Sequence, residues 1–171
     1  NGHSTEQRAH FGGGNAGPYR GAKSSLFEGG IRVPAAITWP NKIQKGAIRN
    51  QFGVNSDWMP TLAELCGIKL DQLDLDGKSL VSVIDNEKEK TQHTEGYCWQ
   101  YQDMWVARKG HWKLLGNPRD TSNKTYKLKE KRFLVNLDDD IGESENLAKK
   151  YPNRVIELEN QYMNWLKQNK N

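Results

Sequence analysis

The side chains best equipped for chemistry gather in the first thirty-two positions. Asn1, His3, His10, Arg20, Lys23, Glu28 and Arg32 stand there among eight of the chain's 16 glycines: Gly2, Gly12, Gly13, Gly14, Gly17, Gly21, Gly29 and Gly30. Glycine lets a backbone turn sharply or come close to a ligand. A loop this long is functional or disordered. An amide carbonyl is a neutral oxygen ligand for a hard cation, and an ammonium or guanidinium group meets anions. Each residue taken alone also has a plainer reading. Asn1 suits a glycine turn, and Lys23 and the histidines suit a solvated loop. Arg20 and Arg32 are read as structural, bracing carbonyls or Glu28.

The elements that must position these residues follow along the chain. Ile31–Trp39 reads as a strand, weakened by Pro34. Ser56–Cys66 reads as a helix, capped by Ser56 or Asp57 and ended by Gly67. Leu80–Ile84 is a short helix or strand. The charged run 85–92 reads as a linker, with a boundary at about residue 85. Four short strands follow, over Glu95–Tyr101, Met104–Arg108, His111–Leu115 and Phe133–Leu137, and suggest an antiparallel sheet. Asn153–Gln168 carries Val155, Leu158, Tyr162, Trp165 and Leu166 at helical spacing, which suits a helix covering one face of that sheet.

Composition agrees with a folded protein that has a thin core. The chain has 171 residues, 35% of them hydrophobic, and a mean hydropathy of −0.89. Six Trp and six Tyr add large buried areas. Trp39, Trp58, Trp112 and Trp165 read as core anchors, whereas Trp99 and Trp105 read equally well as facing a sugar or aryl substrate. The net charge is +4. Lys124, Lys127, Lys129, Lys131 and Arg132 form a basic cluster. Without a nucleic-acid fold motif it reads as a solvated loop or strand edge, so nucleic acid is not expected as a partner. His93 and His111 read as structural. Cys66 and Cys98 lack metal-type spacing and read as buried small hydrophobes, with a disulfide between them left open. No membrane-spanning run is present. The opening on Asn1, without Met, reads as part of a longer chain.

Five segments, in order, resemble the formylglycine-dependent sulfatases, arylsulfatase-like members of the alkaline phosphatase superfamily. They are Asn1-Gly2-His3-Ser4; Gly17-Pro18-Tyr19-Arg20-Gly21-Ala22-Lys23 with Phe27-Glu28-Gly29-Gly30-Ile31-Arg32-Val33-Pro34; Asp57-Trp58-Met59-Pro60-Thr61-Leu62 with Cys66-Gly67-Ile68 and Asp76-Gly77-Lys78-Ser79-Leu80; Val106-Ala107-Arg108-Lys109-Gly110-His111-Trp112-Lys113-Leu114; and Phe133-Leu134-Val135-Asn136-Leu137 with Gly142-Glu143-Ser144-Glu145-Asn146-Leu147-Ala148. The last departs from the family in having Asp140-Ile141 where Asp-Pro is usual. The second match is the most specific.

The resemblance implies an α/β chain. Residues 1–85 would be the C-terminal part of an alkaline-phosphatase-like catalytic domain, and residues 86–171 a small antiparallel sheet subdomain with a C-terminal helix. It implies sulfuric ester hydrolysis by the whole protein. Asn1 matches a metal ligand, typically for Ca2+ with Mg2+ as the alternative. Lys23 matches the lysine that contacts the substrate sulfate, and is the catalytic and substrate-binding candidate. His3, in the loop after Asn1, is a further substrate-contact candidate, with His10 behind it. The family nucleophile is a formylglycine made from Cys in Cys-x-Pro-x-Arg. Cys66 is followed by Gly-Ile-Lys and Cys98 by Trp-Gln-Tyr, so formylglycine is expected upstream and this stretch is expected to be inactive alone. The implied partners are a sulfated small molecule or glycan and the remainder of the catalytic domain, with no membrane. The implied location is periplasmic, extracellular or lysosomal. Rival readings are a phosphodiesterase or phosphonate hydrolase of the same superfamily, and a non-catalytic module binding sulfated glycans.

Overall fold

The computed structural model describes residues 2–4, 14–70, 73–122 and 128–169. The chain forms two compact units, residues 1–34 with 96–171, and residues 35–95. This differs from the expected division at residue 85, because the glycine-rich segment joins the sheet that follows it by some sixty residues rather than the chain next to it.

The first unit is built on four consecutive antiparallel strands: β1 (Tyr97–Tyr101), β2 (Met104–Lys109), β3 (Trp112–Gly116) and β4 (Arg132–Asn136), in the order β1-β2-β3-β4. The short connections explain the meander. Gln102, with φ 57°, turns β1 into β2, and Gly110, with φ 59°, turns β2 into β3. In register, Trp105 faces Gly116 and Lys113 faces both Arg108 and Val135.

Both faces of this sheet are covered. Helix α4 (Pro152–Gln168) starts with proline at its first position, where the missing N–H costs nothing. It lays Leu158 and Tyr162 on Cys98, Trp105, Ala107, Leu114 and Leu134. Trp105 stacks on Tyr162 at 4.2 Å and covers Gly116, where an added Cβ would come within 2.0 Å of the indole. Trp105 is therefore a core residue and does not face a substrate. On the opposite face Leu26 and Phe27 pack on Met104, Val106, Leu115, Phe133 and Val135, with Trp99 partly buried at the edge of that cluster. Alternation along each strand sends successive side chains to the two layers.

A cluster of charged groups sits on the sheet face opposite α4. Lys113 is fully buried. Its Nζ lies 2.8 Å from Glu28 Oε1 and 2.9 Å from Glu143 Oε1. The Glu28 N–H donates to Glu143 Oε2 at 2.5 Å. Burial pushes the Glu28 carboxyl up, but the Lys113 ammonium, helped by Arg108 and Arg32, outweighs it and holds the group below its usual value. For Glu143 burial wins over Lys113, and the nearby Glu28 charge adds to the upward push. Glu28 belongs to the single-turn helix α1 (Glu28–Ile31). The expected strand over Ile31–Trp39 does not form: Ile31 ends α1 and residues 32–39 are irregular. Pro34 and the tight Gly29-Gly30 packing account for that.

The second unit contains a 3-10 turn (Asn55–Asp57), α2 (Trp58–Leu65) and α3 (Val81–Asp85). Its buried apolar residues are few, Ala63 and Val83 among them, and polar bonds take over. The buried Asp57 carboxylate accepts from the Val54 and Lys78 amides, each at 2.8 Å, and pairs with His93 Nε2 at 2.9 Å. Thr61 Oγ1 donates to the Asp57 carbonyl at 2.6 Å and accepts from the Leu80 amide at 2.9 Å. His93 is thus structural. Cys66, expected to be buried, is exposed because it caps the C-terminus of α2, whose buried residues are Thr61 and Ala63. Trp39 is 38% exposed, so it does not anchor a core.

Removing one partner of a buried ion cluster strands the others. Lys113→Met should destabilise the protein at pH 7 by about 3–5 kcal/mol. Without the ammonium, burial and mutual repulsion raise both carboxyl pKa values above their unfolded ones. The penalty should therefore be smallest at acid pH and grow as pH rises through those values. In the wild type the Glu28 contribution runs the other way: it is present above the ordinary 4.5 and lost as pH falls below it. Urea denaturation midpoints between about pH 2.5 and 8 check both signs. Gly29→Ala should cost about 2 kcal/mol by overpacking, since its Cβ would lie 2.3 Å from the Gly21 carbonyl oxygen and 2.6 Å from that of Arg20.

Candidate functional site

Close backbone packing builds the loop that carries Lys23. The Gly2 N–H donates to the Gly30 carbonyl at 2.6 Å, the Gly29 N–H to Arg20 at 2.6 Å, and the Lys23 N–H to His3 at 2.9 Å. A Cβ on Gly2 would come within 2.0 Å of the Gly29 oxygen, and one on Gly30 within 2.2 Å of the Ser25 oxygen. The glycines at these positions therefore permit three chain segments to touch backbone to backbone. His3 and Lys23 become direct neighbours as a result. Gly14 closes over His3, since its Cβ would meet the His3 Cβ at 2.8 Å.

Lys23 itself is exposed, in a turn closed by the Ser25 N–H on the Ala22 carbonyl at 3.0 Å. Gly21 at φ 81° and Ser24 at φ 72° flank it in the left-handed region. A non-glycine residue held there costs on the order of 1 kcal/mol or more and needs surrounding structure to hold it.

That structure comes from the connection between β3 and β4. Ser122 Oγ accepts the Gly21 N–H at 2.8 Å. Thr121 Oγ1 lies 3.0 Å from both the amide and the carbonyl of Ala22, accepting from one and donating to the other. Ser25 Oγ donates to the Arg119 carbonyl at 2.7 Å. Arg20 pairs with Asp120 at 2.6 Å, donates to the Glu143 carbonyl at 2.9 Å, and lies 4.4 Å from the Phe27 ring centroid. Burial would raise the Asp120 carboxyl, but Arg20 and Ser122 together hold it low. Arg32 sits 3.6 Å from Glu28 Oε2. Both arginines are braces, as their sequence context suggests.

The arrangement offers an exposed ammonium on a turn whose backbone is held on two sides. Such a group can meet an anion without a large reorganisation. The structure brings Lys23 and His3 together. Asn1 and His10, and with them the metal-ligand candidate, lie outside the described residues. Among the described residues no group of three or more His, Cys, Asp or Glu side chains could hold a metal ion, so this stretch builds no metal centre from them. Cys66 and Cys98 are both free thiols, Cys66 exposed and Cys98 buried. Burial pushes the Cys98 thiol up to about 11. Among the described residues no helix is long and apolar enough to cross a membrane.

Sequence reasoning missed Lys113, Glu143 and the Thr121–Ser122 contacts. A lysine in the strand Trp-Lys-Leu-Leu-Gly was a usable signal. Its alternation places it on the same face as Leu115, where a buried cation demands an acidic partner.

The fold has counterparts among known proteins. The family model described as "N-sulphoglucosamine sulphohydrolase, C-terminal" matches residues 21–170. A sulfatase of Formosa agariphila is 30% identical over 169 residues, covering 91% of this chain and 30% of the relative. Bovine (Bos taurus) arylsulfatase A is 29% identical over 163 residues, covering 86% of this chain and 32% of the relative. A solved chain, from work on glycosaminoglycan metabolism by Bacteroides thetaiotaomicron, superposes with a TM-score of 0.69 at 25% identity, covering 89% of this chain and 32% of that one. This chain thus spans about a third of the length of these relatives. With its four-stranded antiparallel sheet and terminal helix, it belongs to the sulfatase family, as a C-terminal portion.

Proposed function

We propose that the whole protein is a sulfuric ester hydrolase and that this portion supplies Lys23 as a contact to the substrate sulfate. The observation that carries the reading is the Lys23 turn: an exposed ammonium on a backbone locked between Gly21 and Ser24, directly beside His3. The chemistry asked of it is modest. As the ester S–O bond breaks, negative charge grows on the leaving oxygen and the sulfuryl oxygens. A fixed cation near those atoms lowers the barrier because it binds the transition state better than the ground state. Lysine suits this because its ammonium is compact and reaches along a flexible stem. His3 is proposed as a second contact on the same side.

Asn1 is proposed as one oxygen ligand of a Ca2+ or Mg2+ ion whose other ligands, like the formylglycine nucleophile, belong to the rest of the catalytic domain. This assignment rests on the resemblance of the opening Asn-Gly. This stretch alone would then be inactive. The proposed substrate is a sulfated small molecule or glycan, and the proposed compartment is periplasmic, extracellular or lysosomal, by family analogy.

The full-length protein should hydrolyse a simple aryl sulfate in preference to the corresponding aryl phosphate, and a chelator should suppress turnover that Ca2+ restores. Lys23→Ala should lower kcat by about 10²–10³ with the circular dichroism spectrum unchanged. A faster aryl phosphatase reaction would assign the protein to phosphoryl chemistry instead. A folded Lys23→Ala variant with wild-type kcat would remove Lys23 from the site.

A further inference from the structure

The β3–β4 connection lies far from Lys23 in sequence, yet it makes polar contacts with residues on both sides of the lysine. Three hydroxyls, two from the connection and one from the turn, join the segments across residues 21–25. Ser122 Oγ takes the Gly21 amide, Thr121 Oγ1 takes both the amide and the carbonyl of Ala22, and Ser25 Oγ reaches back to the Arg119 carbonyl. Asp120 adds the ion pair to Arg20. The contacts pair neighbouring residues in step, 119 with 25, 121 with 22 and 122 with 21, so the two segments run antiparallel like a short zipper made of side-chain hydroxyls on backbone groups.

Ordinary strand pairing would use backbone on both sides. Here the Lys23 segment cannot offer it, because Gly21 and Ser24 are left-handed and its amides point irregularly. Hydroxyls on short side chains satisfy such groups where a ladder cannot. Between Gly21 and Ser25, Ala22 is buried while Lys23 and Ser24 are exposed.

We propose that Thr121 and Ser122 are positioning residues for Lys23, holding its turn so that the ammonium meets the sulfate without searching for its place. The proposal rests on the reading of Lys23 as a sulfate contact. It adds that the sheet subdomain sets the geometry of the active-site lysine. Misplacing a reacting group by about 1 Å is enough to lower turnover by up to 10².

The test is a double-mutant cycle in the full-length enzyme, with aryl sulfate as substrate. Thr121→Val/Ser122→Ala removes both hydroxyls at nearly constant volume. Its kcat should fall by about tenfold while KM changes less; the thermal midpoint should drop as well, because the buried Gly21 and Ala22 backbone groups lose their partners, so kcat is read at a temperature where circular dichroism shows the variant folded. Thr121→Ser/Ser122→Thr keeps both hydroxyls and should restore kcat. In a Lys23→Ala background the hydroxyl deletions should cause little further loss, because residues acting through one group are non-additive. An equal loss in both backgrounds overturns the proposal, since the hydroxyls would then act on general structure. A folded Thr121→Val/Ser122→Ala enzyme with wild-type kcat, beside an impaired Lys23→Ala enzyme, overturns the proposal and leaves the Lys23 reading standing. An unimpaired Lys23→Ala enzyme removes the sulfate contact and the positioning role together.

Discussion

A single ammonium buried between two carboxylates ties the Lys23 loop to the sheet. Lys113 comes from the middle of β3, Glu28 from the loop that carries Lys23, and Glu143 from the turn after β4. None of the three could be buried alone, since an unpaired charge in a low-dielectric interior is very costly. Each therefore has one place to go. Net stabilisation from such a cluster over an apolar replacement is small or negative. Its consequence here is positional. Glu28 can reach Lys113 only if α1 sits on the inner face of the sheet, and that seating brings Phe27 onto Phe133 at 5.3 Å, edge to face. Arg20 then lies over both rings while it reaches Asp120 and the Glu143 carbonyl.

The glycine requirement follows from the same seating. Once Glu28 is fixed, the backbone at Gly29 and Gly30 runs against the carbonyls of Tyr19, Arg20, Gly21, Ala22 and Ser25. No side chain fits. The Glu-Gly-Gly sequence is thus one structural statement: a carboxylate to anchor, then two residues with no Cβ to let the chain through. The second unit uses the same logic on a smaller scale. There Asp57 gathers Val54, Lys78 and His93 around a segment with little apolar area.

Much of this was legible before any coordinates. The four strands and the final helix announce themselves by alternation, by Gly110 at a turn, and by the spacing of Val155, Leu158 and Tyr162, because those signals are local. The bracing roles of Arg20 and Arg32 follow from their neighbours. Three features were not legible in the same way. Trp105 looked free to meet a substrate because its partners, Gly116 and Tyr162, are distant in sequence. Residues 31–39 looked like a strand because apolar composition says nothing about whether an edge is available to pair. The contacts of Thr121 and Ser122 with the Lys23 turn depend on two irregular segments meeting, which no periodicity encodes. For the site, Lys23 is named from resemblance and His3 from its place in the loop after Asn1, and their adjacency follows only from the Lys23–His3 backbone bond.

The most direct measurement is a crystal structure of the full-length protein with inorganic sulfate or an uncleaved sulfate ester bound. A sulfate oxygen is expected within roughly 3 Å of Lys23 Nζ, with Thr121 and Ser122 still on Ala22 and Gly21 and Lys113 still between Glu28 and Glu143. A sulfate bound in the catalytic cleft with Lys23 turned away into solvent would contradict it.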